Sequence, residues 1–295
     1  MTWLVLCAGL VGAAIFVWGF LEARRLRLGE AKLLAPGLPA QLEGLRILHL
    51  SDLHLSREDG LVERIAGLAG QARADVVFIT GDIVHRRRGM KGASELLNRL
   101  SSLAPVFVAP GNSDNLVKKK AGAYPASAAV WLVNEARPLG RFSEAWALEE
   151  SSPECAGRSN THDLCWIAGA NDAFGGKDDL PTTLRSVPEG AFLILLSHSP
   201  DIILRDGARR ANIIFAGHTH GGQVRFPIVG PVITHTDVPR SFSSGVHYLG
   251  GSACGEGSRT VLVVSRGAGT TRLPIRLLCP PEMTVWTLTN PSRRS

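Results

Sequence analysis

Five apolar, β-branched runs recur along this chain, and each leads into a short polar block. Residues 46–50 precede SDLH, 76–80 precede Gly81 and Asp82, and 106–109 precede GNSD after one proline. Residues 193–196 precede Ser197 and His198, and 213–216 precede GHTH. Continuous apolar runs bounded by polar turns predict strands buried on both faces, in a sheet covered by other layers. A rigid strand that ends in a polar side chain also fixes that side chain in space. Seven such side chains stand at these ends: Asp52, His54, Asp82, Asn112, His198, His218 and His220. Nitrogen and oxygen donors without a thiolate suit Mn²⁺, Fe or Zn²⁺ rather than Ca²⁺. One carboxylate in the middle of the set could bridge two ions, and ions about 3.5–4 Å apart can clamp both oxygens of an in-line phosphoryl transfer. A lone strand-end Asp or His is more often a cap or a surface group; seven in five blocks are not explained that way.

Composition sets the limits. The 295 residues, 45% of them hydrophobic, suffice for one large domain and an appendage. A net charge of +6 favours anionic partners. Aromatics make up only 6% and form no stacking motif, so nucleic acid is not expected. Cys7, Cys155, Cys165, Cys254 and Cys279 show no CxxC spacing; Cys7 lies in the apolar N-terminus and the rest read as reduced thiols, with a Cys155–Cys165 disulfide as the alternative.

Residues 3–21 carry no charge. At about 1.5 Å per residue they reach about 28 Å, enough to cross the hydrocarbon of a bilayer. No basic segment precedes them and no small-residue cleavage site follows, so a removed signal peptide is not expected. Arg24, Arg25, Arg27 and Lys32 follow the run. By the positive-inside rule this predicts a single-pass inner-membrane anchor with the remainder in the cytoplasm; a buried core helix is the alternative. The expected organisation is an anchor over 1–22, a basic juxtamembrane helix and Pro/Gly linker over 23–44, and one domain over 45–290. Within that domain 60–72 and 91–103 have helical spacing, 151–162 reads as a loop, and short strands with many turns follow Gly221. The alternation predicts an α/β sandwich: two mixed β-sheets packed face to face and flanked by helices.

In this order, DLH, GD, GNxD, SH and GHTH resemble the calcineurin-like metallophosphoesterase superfamily. GHTHGGQVRFP (217–227) and SRGAGTTRLPIRLLCPPE (265–282) resemble its membrane-associated bacterial branch, which includes UDP-2,3-diacylglucosamine diphosphatases of lipid A biosynthesis. The resemblance implies two divalent metal ions, Mn²⁺ before Fe or Zn²⁺. Asp52, His54, Asp82 and His220 would hold one, and Asp82, Asn112, His198 and His218 the other, with Asp82 bridging. Asn112 and Asp114 are the expected catalytic residues, a turn role being the alternative for Asp114. His49 reads as a packed neighbour. The implied reaction is hydrolysis of a phosphoanhydride by metal-activated water, UDP-2,3-diacylglucosamine giving UMP and the 1-phosphorylated diacylglucosamine. A phosphodiesterase or phosphatase on the same scaffold, or a catalytically weak lipid-binding scaffold, are the alternatives.

The chain departs from the superfamily pattern at Ser113. Many members carry histidine after the asparagine, where it protonates the leaving oxygen. A serine hydroxyl is no acid near neutral pH. A phosphate leaving group, with a second pKa of about 6, departs without one, so the serine favours diphosphates over alkyl phosphomonoesters. Ser113, Arg86, Arg87 and Arg88 are the expected substrate contacts; the three arginines follow Asp82 closely and predict a cationic rim for a phosphate or an anionic head group, with a solvated loop as the alternative. Lys118, Lys119 and Lys120 carry the same ambiguity. The expected partners are an anionic phosphorylated or nucleotide-linked lipid and the membrane.

Overall fold

A computed structural model of the chain describes residues 2–56, 60–139, 165–250 and 260–291. Two mixed sheets form its centre. In the first, β1 (Arg27–Leu34) runs parallel to β14 (Glu282–Thr289), which is antiparallel to β2 (Arg46–Leu50). From there β3 (Val76–Ile79), β4 (Val106–Val108) and β5 (Val130–Trp131) follow in parallel. In the second, β6 (Glu135–Pro138) is antiparallel to β7 (Cys165–Gly169). Then β8 (Phe192–Leu196), β9 (Ile213–Ala216) and β13 (Thr260–Val264) run parallel, and β12 (Gly245–Leu249) closes the far edge antiparallel to β13. A separate hairpin pairs β10 (Arg225–Phe226) with β11 (Gly230–Pro231).

The apolar runs are continuous because each strand is buried on both faces. Ile47, Val76, Phe78 and Phe107 face Ile167, Ile194, Phe215 and Val263 across the gap between the sheets. Phe78 meets Phe215 edge-on at 5.5 Å and Phe107 at 6.3 Å. The alternate residues Leu48, Leu50, Val77 and Ile79 point outward onto Ile65 of α2 (Gly60–Ala72) and Leu96, Leu97 and Leu100 of α3 (Met90–Ser101). Leu193, Leu195 and Ile214 point outward from the second sheet onto Leu180, Leu184 and Ile202. Each such side chain contributes about 1.5–3 kcal/mol on burial. The five polar blocks lie just beyond the C-terminal ends of β2, β3, β4, β8 and β9, each paired in parallel with a neighbour, where open α/β sheets place their ligands.

The N-terminal region differs from expectation. Residues 27–34, expected in a basic juxtamembrane helix, form β1. Its pairing with β14 satisfies the backbone, and its charged side chains stay outward while Leu33 is buried. Ahead of it α1 (Thr2–Glu22) is a single helix. Among the described residues no helix is long and apolar enough to cross a membrane. The expected anchor is therefore a helix with exposed apolar side chains, among them Leu10, Ile15, Phe16 and Trp18, and not an established span. Its C-terminal end is docked. The Arg276 N–H donates to the Gly19 carbonyl at 2.9 Å, and buried Glu22 accepts from the Cys279 N–H at 2.7 Å and from Trp18 Nε1 at 3.0 Å. The loop expected at 151–162 and Cys155 lie outside the described residues; Cys165 is a buried free thiol whose pKa burial pushes up to about 12.

Candidate metal centre

Asp52, His54, Asp82, His218 and His220 all stand on left-handed backbone, with φ between 50° and 71°. A residue with a Cβ persists there, at a cost of about 1–3 kcal/mol, only where its surroundings over-determine it. The turns bend the chain sharply as it leaves the sheet and bring both members of D-x-H and of H-x-H into one gap. Close passage of the turns requires glycine: a Cβ on Gly217 would collide with Ser51 Oγ, and one on Gly111 with Asp82 Oδ1.

The seven expected side chains converge. Asp52, His54 and His220 offer ligand atoms within 4.8 Å of one another, and so do Asp52, Asp82 and His198. His54 Nε2 lies 3.0 Å from His220 Nε2, their rings stacked at 4.9 Å. His198 Nε2 lies 3.2 Å from Asn112 Oδ1 and 3.1 Å from His218 Nδ1. Asp82 stands between the groups, with Oδ2 3.5 Å from His54 Nε2 and Oδ1 3.5 Å from His198 Nε2. One carboxylate oxygen for each group is what a bridging ligand needs. Asp52 also reaches both groups, while its carboxylate accepts from the His218 N–H at 3.0 and 3.2 Å.

Backbone carbonyls select the ring nitrogens left for a ligand. His198 Nδ1–H donates to the Thr80 carbonyl at 2.8 Å, freeing Nε2; His218 Nε2–H donates to the His235 carbonyl at 3.0 Å, freeing Nδ1. Burial lowers His54 to about 4 and His218 to about 3, and takes His220 well below its ordinary value, so these three are neutral donors. Burial raises Asp52 to about 6. At Asp82 burial pulls upward, but His198, His54 and the Ser113 N–H outweigh it and the carboxyl titrates below its usual value. Burial alone would lower His198; Asp82, Asp52 and the Thr80 carbonyl instead raise it to about 9. The field that holds a proton on His198 would equally hold a cation. Convergent neutral imidazoles, two carboxylates and an amide oxygen fit divalent metal ions.

Other expectations change. Asp114, expected at the chemistry, is buried with Oδ1 accepting from the Val84 N–H and Oδ2 from the Gly111 N–H, each at 3.0 Å. It pins the start of α4 (Asn112–Ala121) and is fully buried there. Ser113, expected against substrate, spends both its N–H (2.8 Å) and its hydroxyl (2.9 Å) on Asp82. His49 is a packed neighbour, as expected, bonded to Thr80 Oγ1 at 2.9 Å and edge-on to Phe215. Arg86, Arg87 and Arg88 are exposed and line a cavity beside His54.

Two residues near the centre escaped the sequence. Phe174 lies 4.5 Å from His218, ring to ring. Arg276 is fully buried and, among the described residues, in no ion pair with a carboxylate; its guanidinium donates to the carbonyls of Arg266 (2.8 Å), Gly267 (3.1 Å), Gly269 (2.6 Å) and Cys279 (3.2 Å) and lies 3.4 Å from His220 Nδ1. It ties the 266–279 segment around His220. The 265–282 block that carries it was the available signal.

Comparison with known proteins agrees with this geometry. The family profile described as calcineurin-like phosphoesterase matches residues 45–222. The chain is 28% identical to the uncharacterized metallophosphoesterase YkuE of Bacillus subtilis, aligned over 91% of this chain and 87% of that one. It is 26% identical to the UDP-2,3-diacylglucosamine pyrophosphatase LpxG of Chlamydia muridarum over 94% of both chains, and 26% identical to the phosphodiesterase YaeI of Escherichia coli over 81% and 80%.

Proposed function

The chain belongs to the calcineurin-like phosphoesterase family, and on that premise we propose that it hydrolyses the phosphoanhydride of a nucleotide-linked lipid, with UDP-2,3-diacylglucosamine the first candidate. Asp52, His54, Asp82 and His220 would hold one divalent ion, and Asp82, Asn112, His198 and His218 a second. When bound there, divalent ions would supply Lewis-acid polarisation of a phosphoryl oxygen and activation of a water. The chain's own part is to hold the donors still. The Thr80 and His235 carbonyls fix two imidazoles, the His218 N–H orients Asp52, and Ser113 orients Asp82. Pre-set ligands leave little reorganisation for the reaction itself.

The carrying observation is Ser113. Its N–H and hydroxyl are both turned onto Asp82, so the position after Asn112 offers no proton to a leaving oxygen. A departing phosphate needs none, whereas an alkoxide does. The name of the Chlamydia muridarum relative supports the nucleotide-lipid, and the exposed apolar side chains of α1 support an inner-membrane location with Arg24, Arg25 and Arg27 on the cytoplasmic side.

The test is full-length protein in detergent with Mn²⁺, assayed on UDP-2,3-diacylglucosamine, an aryl phosphodiester and an alkyl phosphomonoester. Expected are a kcat/KM at least tenfold higher on the first, and loss of all turnover with a chelator or in Asp82→Ala. Preference for the phosphodiester would overturn the anhydride reading in favour of the activity named for the Escherichia coli relative.

A further inference from the structure

A cavity of about 1140 Å³ opens beside His54 and runs to Ala23 and Arg24 at the base of α1. Among the described residues seven basic side chains line it and no carboxylate does. They come from distant parts of the chain: Arg24 after α1, Arg64 on α2, the arginines at 86–88, Lys120 on α4 and Arg272 in the segment that docks α1. Like charges gathered around one mouth repel one another, and an anion seated among them removes that cost. Between them stand Leu61, Leu116 and Leu273, the last two more than half exposed. The lining is thus cationic and apolar together, and it ends where the exposed apolar side of α1 begins.

We propose that this cavity binds the anionic head group of a lipid, with Arg64 and Arg272 as its principal contacts and the acyl chains leaving along α1. The charge it meets is additional to the scissile phosphate, because the lining reaches from His54 away to the helix. The ligand class is therefore a phosphorylated amphiphile. Arg64 is pre-set for this: it donates to the Gly60 carbonyl at 3.2 Å and the Arg24 carbonyl at 2.8 Å, which leaves further guanidinium N–H groups for an oxyanion. A soluble nucleotide or free phosphate would satisfy the arginines but has no use for the leucines.

The assignment deepens the proposed function and rests on it only for the kinetic part of its test. First, binding of phosphatidic acid in neutral-detergent micelles is measured for the full chain and for Arg64→Ala/Arg272→Ala, with phosphatidylcholine and inorganic phosphate as controls. Both arginines are exposed, and Arg64→Lys/Arg272→Lys serves as the charge-preserving check on folding. Expected are at least tenfold weaker phosphatidate binding in the alanine pair, recovery to within threefold in the lysine pair, and no competition by inorganic phosphate at the phosphatidate concentration. Unchanged binding in the alanine pair overturns the site, and full competition by inorganic phosphate overturns its assignment to lipid. Second, the ratio of kcat/KM on the nucleotide-lipid to that on the aryl phosphodiester should fall at least tenfold in the alanine pair; an unchanged ratio overturns a role in substrate choice. Phosphatidate binding without any anhydride turnover would sink the proposed reaction and leave this site standing.

Discussion

At Ser113 and Asp82 one hydroxyl replaces an acid and instead steadies a carboxylate. Ser113→Ala removes that hydroxyl bond but keeps the backbone N–H on Asp82. It should cost less than tenfold in kcat/KM on a diphosphate, about 1.4 kcal/mol of barrier. Ser113→His should raise alkyl phosphomonoester hydrolysis more than diphosphate hydrolysis, since only the poorer leaving group gains from an acid. A thousandfold loss on the diphosphate in the alanine form would defeat the leaving-group argument. His49 carries a different consequence. Burial lowers its pKa from 6.5 to about 3, so between those values the unfolded chain binds a proton that the folded chain refuses. Stability then falls as pH falls from 6.5 towards 3 and levels off below. Between pH 7 and pH 5 this one group should cost about 2 kcal/mol. The loss of urea-unfolding free energy over that interval should be smaller by about that amount in His49→Gln, which can still bond Thr80; equal losses would show that His49 does not titrate as described.

The elements legible in the sequence are those whose surroundings repeat. β2, β3, β4, β8 and β9 are buried on both faces and therefore announce themselves as apolar runs, and the seven convergent donors follow from their ends. β1 is not legible. It is an edge strand whose exposed Arg27, Glu30 and Lys32 look like a charged linker, and charge is how edge strands avoid pairing with other chains. Arg276 was hidden for another reason: a lone arginine reads as surface, and the carbonyls that satisfy it lie in a loop whose path no local pattern reveals. Asp114 misled because its neighbours are catalytic candidates while its own oxygens serve backbone N–H groups. The docked end of α1 gives a prediction at this scale. Deleting residues 2–17 leaves Trp18, Gly19 and Glu22 in place and should preserve the thermal midpoint and turnover of a soluble substrate. Deleting 2–22 strands the N–H groups of Cys279 and Arg276, each worth about 1–3 kcal/mol when buried and unpaired. Calorimetry should show a lower midpoint in the longer deletion; equal midpoints would mean that the helix end supports nothing.

Across the whole molecule, the sandwich was legible but the convergence of its surface was not. Arg24, Arg64 and Arg272 lie far apart along the chain and become neighbours only when α1, α2 and the 266–279 segment meet. Charge of one sign around one mouth makes capture of an anion sensitive to salt. Raising ionic strength from about 0.05 to 0.5 M should therefore raise KM for the nucleotide-lipid several-fold more than for the aryl phosphodiester; an equal rise would argue against long-range capture. The junction between α1 and β1 sets one more condition. Only residues 23–26 separate them, Glu22 is bonded to Cys279, and β1 is hydrogen-bonded along its length to β14. With the helix seated in lipid as proposed, this is a mount rather than a tether: the mouth is held at one height and one tilt above the surface. Encounters then occur by lateral diffusion in two dimensions, and the turnover rate follows the mole fraction of substrate in the surface rather than its amount per volume of buffer. Diluting the lipid with neutral detergent at constant bulk substrate should slow the full-length protein, and the same dilution should leave a form lacking residues 2–17 far less affected.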